Sequence, residues 1–532
     1  MPRVRAPEFP VKYPWLNTEK PLSIASLKGR VVILDFWTYC CINCLHVLPV
    51  IGVHSAKFEN EKDVENIRQA ILRYDIEHPV IVDSGMKVWQ SYAVRAWPTL
   101  MVIDPESYVV GFVSGEGHRE ALDQLVGKLI AEYKDKNAIA FRELRFSLEK
   151  QRKPVSTPLA FPGKVLGFAI APTEAKVLHQ HEALLGEMTE DNESVDETVL
   201  PGPANSVIQN LVGSCLFVAD SGHNRIVVSS TEGEVLHVIG TGKAGLTDGN
   251  FEEAEFFDPQ GMAFDAETQI LYVADTENHA IRTIDFTTQR VKTVAGTGEQ
   301  SQEIGPCSGK GLETPLNSPW DLERVGNRLF IAMAGSHQIW EMQLDTGTIA
   351  TYAGIGRESC VDGSLAESAF SQPSGLATDR SELFVADSEI SSIRAVGIEE
   401  YSNVRTVCGS GELFGFGDKD GRGDEVRLQH CLGVEYAQNY LWVADTYNHK
   451  IKRIDHRSGS CMTMIGDGKA GLVDAKGINA RFFEPSGLSA IGSHLFVADT
   501  NNHVIRRVEL DTLEVTTLDF HGLCAPDVCL PD

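Results

Sequence analysis

Three cysteines stand close together near the start of the chain, within the run DFWTYCCINC that extends from Asp35 to Cys44. Cys41 and Cys44 form a Cys-x-x-Cys spacing, and the apolar run Val31–Leu34 before them predicts a buried strand. Such a strand would place Cys41 at the start of a helix, where unpaired N–H groups and the helix dipole favour a thiolate. We therefore predict thiol–disulfide exchange, with Cys41 attacking and Cys44, one turn later, resolving.

The residues around this motif resemble those of thioredoxins. Asp35 matches the family's buried acid, which handles the proton of the resolving cysteine, and Pro49 matches the proline that kinks the active-site helix. Pro98, in the run AWPTLMVID, matches the cis-proline that faces the dithiol. The stretch from His78 to Asp104 is similar to membrane-anchored or secreted relatives that reduce cytochrome precursors. The resemblance implies an α/β thioredoxin-like fold and four catalytic residues, namely Cys41, Cys44, Asp35 and Pro98.

A third thiol departs from the family pattern, because Cys40 stands where these relatives carry a tryptophan. A soft metal site for zinc or copper(I), built from this thiol, the Cys-x-x-Cys pair and His46, is one interpretation. Adjacent cysteines rarely both reach one ion, so we favour a small side chain that fills the place of the tryptophan. We predict no metal and no cofactor.

The crossover that follows the motif is also unusual. Residues 50–54 read as the next parallel strand and begin directly after Pro49. Parallel neighbours need a crossover of about a dozen or more residues, usually a helix. Trp37 to Pro49 must supply both the active-site turn and this crossover, so the back half of the helix is missing. We expect a shortened chain rather than a remodelled domain, because both flanks match the family closely, and we expect the shortened domain to fold less well.

The second half of the chain repeats itself. Six copies of one phrase begin 54 to 58 residues apart, at Leu216, Leu271, Leu329, Leu383, Leu441 and Leu495, with LFVADSGHNRI as the first and LFVADTNNHVI as the last. This period, with short alternating strands and turn residues between them, is typical of a β-propeller. Each unit divides into four strands, so we predict six blades.

These phrases resemble NHL repeats over residues of about 200 to 518. Together with the redox motif in this order, the chain resembles the NHL-repeat-containing protein 2 family of animals and the related region of plant suppressor-of-quenching proteins. The predicted fold is multidomain: an α/β thioredoxin-like domain over 1–135 is followed by an all-β six-bladed NHL β-propeller. The other predicted segments are a linker over 136–160, the propeller over 161–518, an acidic insertion near 170–210 and a tail over 519–532.

Several motifs of the repeats could carry chemistry, but each has a structural interpretation that we favour. The recurring Asn-His pairs at 278–279, 448–449 and 502–503 fit turn chemistry and inter-strand hydrogen bonds better than a metal ring. Asp418, Asp420 and Asp424 resemble a calcium loop, yet related Asp-Gly turns occur in other blades and a twelfth-position Glu is absent. In the third blade, Met333 replaces the Asp of the other blades, after the unusual run SPWDLERV.

Charge and composition restrict the partners. The chain carries 74 acidic and 47 basic residues, a net charge of -27, which argues against nucleic acid or an anionic membrane as the main partner. No run of about 18 apolar residues is present, so we expect no membrane span. Single, scattered cysteines suit a reducing compartment. We predict a soluble cytoplasmic protein, or a chloroplast protein if this is a plant or algal form without its targeting segment.

Our leading functional prediction is a thioredoxin-like thiol–disulfide oxidoreductase that acts on a protein client, with the propeller holding that client or a regulator. The alternative is a non-enzymatic protein-interaction scaffold, in which a degenerate thioredoxin fold only binds. A propeller hydrolase or lyase would need a metal in the central channel, and the sequence offers no clear ligand set for one.

Overall fold

The computed structural model describes residues 4–45, 51–140, 144, 146–169, 214–399 and 401–526. The chain divides into two compact units, Met1–Ser156 and Thr157–Asp532. Pro49 and the acidic insertion predicted near 170–210 lie outside the described residues.

The first unit is an α/β domain built on a seven-stranded mixed sheet. Its strands are β1 Val4–Arg5, β2 Trp15–Leu16, β3 Val32–Trp37, β4 Ile51–His54, β5 Val80–Val82, β6 Thr99–Ile103 and β7 Tyr108–Ser114. Its helices are α1 Ile42–Leu45, α2 Val64–Arg73, α3 Lys87–Ser91, α4 Arg119–Asp135 and α5 Glu149–Arg152. The strand order is β1-β7-β6-β3-β4-β5-β2, so β3, which precedes the Cys-x-x-Cys, lies in the middle.

Alternation along β3 sends its side chains to two different environments. Leu34 and Phe36 are fully buried and join Ile51, Val53 and Trp89 in the apolar core on one face. The intervening residues of β3 therefore point to the opposite face, which puts the acid Asp35 on the side away from this core. Because side chains alternate along the strand, its core-packing residues lie on one face of the sheet and Asp35, the candidate proton carrier, lies on the other.

The short crossover after the dithiol motif still joins two parallel strands. β3 pairs in parallel with β4 through Leu34–Ile51 to Trp37–His54, so the parallel strand expected after Pro49 is present from Ile51. The connection comprises only residues 38–50. Within the stretch predicted as a linker, α5 belongs to the first unit, since Glu149 forms an ion pair of 2.8 Å with Arg68 of α2.

The second unit is a ring of six antiparallel sheets, which confirms the predicted six-bladed propeller. The first three blades contain β8 Val165–Ala169, β9 Ser214–Asp220, β10 Arg225–Ser230 and β11 Val235–Ile239; β12 Gly249–Asn250, β13 Pro259–Asp265, β14 Ile270–Asp275, β15 Ala280–Asp285 and β16 Arg290–Ala295; and β17 Ser308–Lys310, β18 Pro319–Val325, β19 Arg328–Met333, β20 Gln338–Gln343 and β21 Thr348–Ala353.

The last three blades repeat this pattern. They contain β22 Gly363–Ser364, β23 Pro373–Thr378, β24 Glu382–Asp387, β25 Ser392–Gly397 and β26 Asn403–Cys408; β27 Gly421–Arg422, β28 Gly433–Ala437, β29 Tyr440–Asp445, β30 Lys450–Asp455 and β31 Ser460–Ile465; and β32 Pro485–Ile491, β33 His494–Asp499, β34 Val504–Glu509 and β35 Glu514–Leu518. The innermost strands β8, β13, β18, β23, β28 and β32 touch their neighbours around the ring.

Every junction between neighbouring blades carries the same hydrogen bond. A side chain in the turn after the second long strand of one blade accepts from a backbone N–H just before the innermost strand of the next blade, at 2.9 to 3.2 Å. We call these bonds the blade clamps. Their acceptor–donor pairs are Asn224–Asp258, His279–Ser318, His337–Gln372, Ser391–His430, His449–Glu484 and His503–Phe161.

All twelve clamp residues have a positive φ in the left-handed region. The accepting atom of each histidine is Nδ1, so its imidazole must be neutral with the proton on Nε2. The structure therefore supports the interpretation of the Asn-His pairs as turn and inter-strand chemistry rather than a metal ring.

A buried lysine joins blades across the ring. Lys164, immediately before β8, donates from Nζ to Asp321 at 3.0 Å, to the carbonyl of Ser374 at 2.8 Å and to the carbonyl of Leu432 at 2.7 Å. These acceptors belong to the third, fourth and fifth blades, so the ammonium lies near the ring axis. Asp321, part of the unusual SPWDLERV run, owes its place to this contact.

Candidate functional site

The dithiol motif lies in the turn between β3 and α1. Cys41 is half-buried just before α1, and the N–H of Cys44 donates to the carbonyl of Cys41 at 2.9 Å. The Cys44 side chain lies within α1 and is only 2% exposed. The more accessible thiol is thus the one predicted to attack, and the thiol predicted to resolve lies behind it.

Burial controls the protonation of the inner half of the site. It raises the pKa of the Cys44 thiol well above its ordinary value, and a hydrogen bond with Cys41 and the charges of Cys41 and Asp35 raise that pKa further. Burial likewise raises the pKa of the Asp35 carboxyl well above its usual range. Within the described residues, Asp35 Oδ1 has no hydrogen-bond partner. This carboxyl is therefore a site at which a proton can be held or exchanged beside Cys44.

Pro98 lies at the same end of β3 as the dithiol motif. The Trp97–Pro98 peptide bond is cis. Thr99, the next residue, begins β6 and pairs with Phe36 of β3, which places Pro98 beside the end of β3 from which the Cys-x-x-Cys turn starts. The indole of Trp97 donates to the carbonyl of Ser55 at 3.0 Å and stabilises this loop.

Sequence reasoning missed a buried carboxylate beneath the motif. Glu61 is fully buried and accepts hydrogen bonds from the backbone N–H groups of Cys40, Lys57 and Phe58 at 2.8 to 2.9 Å. A single glutamate inside the polar run FENEKD carries no pattern that sets it apart from its exposed neighbours. Its position is revealed only by the structure, in which the loop of Glu61 approaches the loop of Cys40, 21 residues earlier in the chain.

Two histidines on the Asp35 face were also missed. Burial lowers the pKa of His54 to about 3 and that of His78 to about 4, so both are neutral at pH 7. The His54 ring packs between the rings of Trp37 and Tyr39, at centroid distances of 4.9 and 5.4 Å. The histidines thus serve as packing groups beside the redox motif.

No metal centre emerges from the parts of the chain that are described, where no group of three or more His, Cys, Asp or Glu side chains could hold an ion. His46, a member of the soft-metal alternative, lies outside those parts. Asp418 and Asp420, from the calcium-like run, pair instead with Lys452 at 2.9 and 3.1 Å. Asp420 also accepts a hydrogen bond from Thr463, as Asp248 does from Thr293, so a turn shared by the repeats explains the motif.

Among the described helices, none has the length and apolarity to cross a bilayer.

Comparison with known proteins decides the family. No family model matches the chain. NHL repeat-containing protein 2 of Bos taurus is 40% identical to it over 559 residues, which cover 96% of this chain and 71% of the relative. The chain belongs to the NHL repeat-containing protein 2 family. The resemblance seen in the redox motif and the six repeats is thereby confirmed.

A plant relative of the NHL repeat-containing protein 2 family matches equally broadly. Protein SUPPRESSOR OF QUENCHING 1, chloroplastic, of Arabidopsis thaliana is 42% identical over 553 residues, which cover 98% of this chain. The chain spans 48% of that relative's length. Because the aligned length exceeds the 532 residues of this chain, the relative carries residues within the matched region that this chain lacks.

The first unit also has bacterial relatives. Thiol-disulfide oxidoreductase ResA of Bacillus cereus is 31% identical over 121 residues, which cover 21% of this chain and 69% of the relative. This match confirms the thioredoxin-like nature of the first domain.

Proposed function

We propose that the thioredoxin-like domain is a thiol–disulfide oxidoreductase for a protein client. The observation that carries this proposal is the graded burial of the two thiols, with half-buried Cys41 in front of the fully covered, protonated Cys44 and its neighbour Asp35. A resolving thiol that keeps its proton until it is needed limits premature closure of the dithiol.

In the proposed reaction, the Cys41 thiolate attacks one sulfur of a client disulfide and expels the other as a thiolate, which forms a mixed disulfide. Cys44 then loses its proton to Asp35 and attacks Cys41 Sγ, which releases the second client thiolate. Two electrons pass from the dithiol to the client, whose two thiolates take up one proton from Asp35 and one from water, so the client leaves with two thiols. Cis-Pro98 would orient the client strand beside Cys41.

The propeller would hold the client or a regulator. We also propose a reducing compartment, since Cys408, Cys431 and Cys461 persist as buried thiols inside the blades. The cytoplasm is the simplest such setting. A chloroplast is the alternative for a plant or algal form, in keeping with the chloroplastic relative of Arabidopsis thaliana.

The test uses the full chain, oxidised with glutathione disulfide and mapped by peptide mass spectrometry. We expect the wild type to lose two thiols as a Cys41–Cys44 disulfide, and Cys44→Ser to retain glutathione on Cys41. Cys41→Ser should form neither product, while Cys307→Ser in the propeller serves as the matched control. A folded wild type whose two thiols stay inert would overturn the proposal and favour the protein-binding scaffold.

A further inference from the structure

The site contains three thiols, and something must decide which of them react. Cys41 is paired with Cys44 by the turn that begins α1, in which the N–H of Cys44 donates to the carbonyl of Cys41 at 2.9 Å. Cys40, one residue earlier, is four positions from Cys44 and offers it a second partner at helical spacing. The structure buries Cys40 to 3% exposure and leaves Cys41 half-buried and hydrogen-bonded to Cys44. The choice between the two pairings therefore depends on how the backbone before α1 is held.

Glu61 holds that backbone. Its Oε1 accepts the N–H of Cys40 at 2.9 Å, while Oε2 accepts the N–H groups of Lys57 and Phe58, each at 2.8 Å. Hydrogen bonds to a buried carboxylate are stronger than those between neutral groups. One side chain thus ties the dithiol turn to the loop that follows β4.

Neighbouring contacts brace the same turn. Asn60 donates from its side chain to the hydroxyl of Tyr39 at 3.0 Å, and Asn66 of α2 donates to the side-chain oxygen of Asn60 at 2.6 Å. With its N–H fixed by Glu61, Cys40 turns its thiol inward, 3.8 Å from Thr38 Oγ1. The peptide that follows then carries Cys41 outward toward the surface.

We propose that Glu61 is a positioning residue that selects Cys41 over Cys40 as the exchanging thiol. The proposal rests on the proposed oxidoreductase function for its biological meaning. When the carboxylate is removed, the N–H of Cys40 loses this anchor, and Cys40 competes with Cys41 both for external reagents and for Cys44.

The first readout is the ratio of Cys41 to Cys40 alkylation by iodoacetamide in the reduced full chain, read by peptide mass spectrometry. We expect Glu61→Ala to lower this ratio by about tenfold or more, since a buried charged hydrogen-bond anchor is lost. Glu61→Gln keeps one acceptor oxygen and should retain part of the selectivity. Glu59→Ala, which removes an exposed carboxylate two residues away, should leave the ratio unchanged.

The second readout is disulfide connectivity after oxidation with glutathione disulfide. Glu61→Ala should yield a Cys40–Cys44 disulfide beside Cys41–Cys44, and the double variant Cys40→Ala, Glu61→Ala should yield only the latter. If Glu61→Ala fails to melt cooperatively, the folded Glu61→Gln variant decides. An unchanged alkylation ratio in a folded Glu61 variant overturns the inference. A shifted ratio without any wild-type disulfide supports the selection by Glu61 and overturns the oxidoreductase proposal instead.

Discussion

At the scale of single residues, burial of the dithiol site has two opposite effects, one on folding stability and one on proton transfer. It raises the pKa of Asp35 and of Cys44, so ionising either group inside the fold costs folding stability. A carboxylate whose pKa is raised above its usual range is, however, a better proton acceptor for a thiol than an ordinary aspartate. The same desolvation therefore weakens the fold and, in the proposed reaction, favours the transfer of a proton from Cys44 to Asp35.

Asp35→Asn should separate these two effects. A carboxyl that binds its proton more tightly in the folded state destabilises the chain increasingly as pH rises from about 4 through the folded pKa. The amide removes this cost, so we expect the first unit to melt ~2 °C or more higher at pH 7, with the gain vanishing toward pH 4. Resolution of the mixed disulfide should slow by about 100-fold, measured by trapping the Cys41 adduct.

The control for this substitution is Asp123→Asn, which alters an exposed carboxyl of α4. It should change neither the melting temperature nor the rate. A slower Asp35→Asn enzyme without any gain in stability would contradict the account of the raised pKa.

At the scale of elements, the blades are alike because one turn geometry is repeated. The clamp acceptor is a histidine at four junctions, an asparagine at the first and a serine at the fourth, yet its backbone is left-handed at all six. Different side chains thus meet a common requirement, which is an acceptor on a residue that tolerates positive φ. Asparagine satisfies both parts of it well.

His503→Asn should consequently be tolerated, whereas His503→Gly should not. Glycine keeps the left-handed turn but removes the acceptor for the Phe161 N–H, which should destabilise the propeller by about 1 to 3 kcal/mol. His503→Ala adds backbone strain and should cost more. Urea unfolding followed by tryptophan fluorescence would measure the order. Equal stability of the glycine variant and the wild type would mean that the clamp contributes nothing.

Protonation should loosen a histidine clamp. Burial lowers the pKa of His449, although Glu484 and Asp467 oppose this, so its folded pKa lies below the unfolded value of about 6.5. The unfolded state then binds more protons as pH falls through that window, and the stability that this clamp contributes is lost on acidification. His449→Asn should reduce the drop in urea midpoint between pH 7.5 and 5. Since other groups titrate there too, the difference between the two proteins is the quantity to compare, and identical drops would contradict the prediction.

The repeats also explain how much of the fold could be predicted from the sequence. Six copies of one phrase fix the blade number, and the spacing around Asp35, Cys41, Cys44 and Pro98 predicts the layout of the first domain. The third blade shows why details escape: buried Met333 replaces an aspartate, and buried Trp340 replaces the arginine that pairs with that aspartate in the second, fourth and sixth blades. Both changes are visible in the sequence, but only the structure shows that Met333 and Trp340 join one apolar cluster. Glu61 was missed because it acts across two loops.

At the scale of the whole molecule, the propeller depends on contacts between residues far apart in the chain. Lys164 reaches acceptors 157, 210 and 268 residues away, in three blades at once. The repeat pattern of the sequence does not single out Lys164, because its partners, two backbone carbonyls and Asp321, come together only when the ring closes. The lysine therefore stabilises the ring as a unit rather than any one blade.

Lys164→Met should destabilise the propeller by about 3 to 5 kcal/mol, because it leaves the buried Asp321 carboxylate without its cation. The double variant Lys164→Met, Asp321→Asn should recover part of this loss, since no buried charge is left uncompensated. Urea midpoints of the two variants test the pair. A single variant as stable as the wild type would show that the ring does not rely on this ammonium.

The junction between the sixth and first blades has a consequence for biosynthesis. The N–H of Phe161 finds its clamp acceptor in His503, 342 residues later, so the ribosome must finish nearly the whole propeller before this junction can form. Until then, the edge of the first blade stays uncovered. We expect nascent chains stalled before His503 to be bound by chaperones and cut readily near Phe161, and chains released beyond the last blade to resist both.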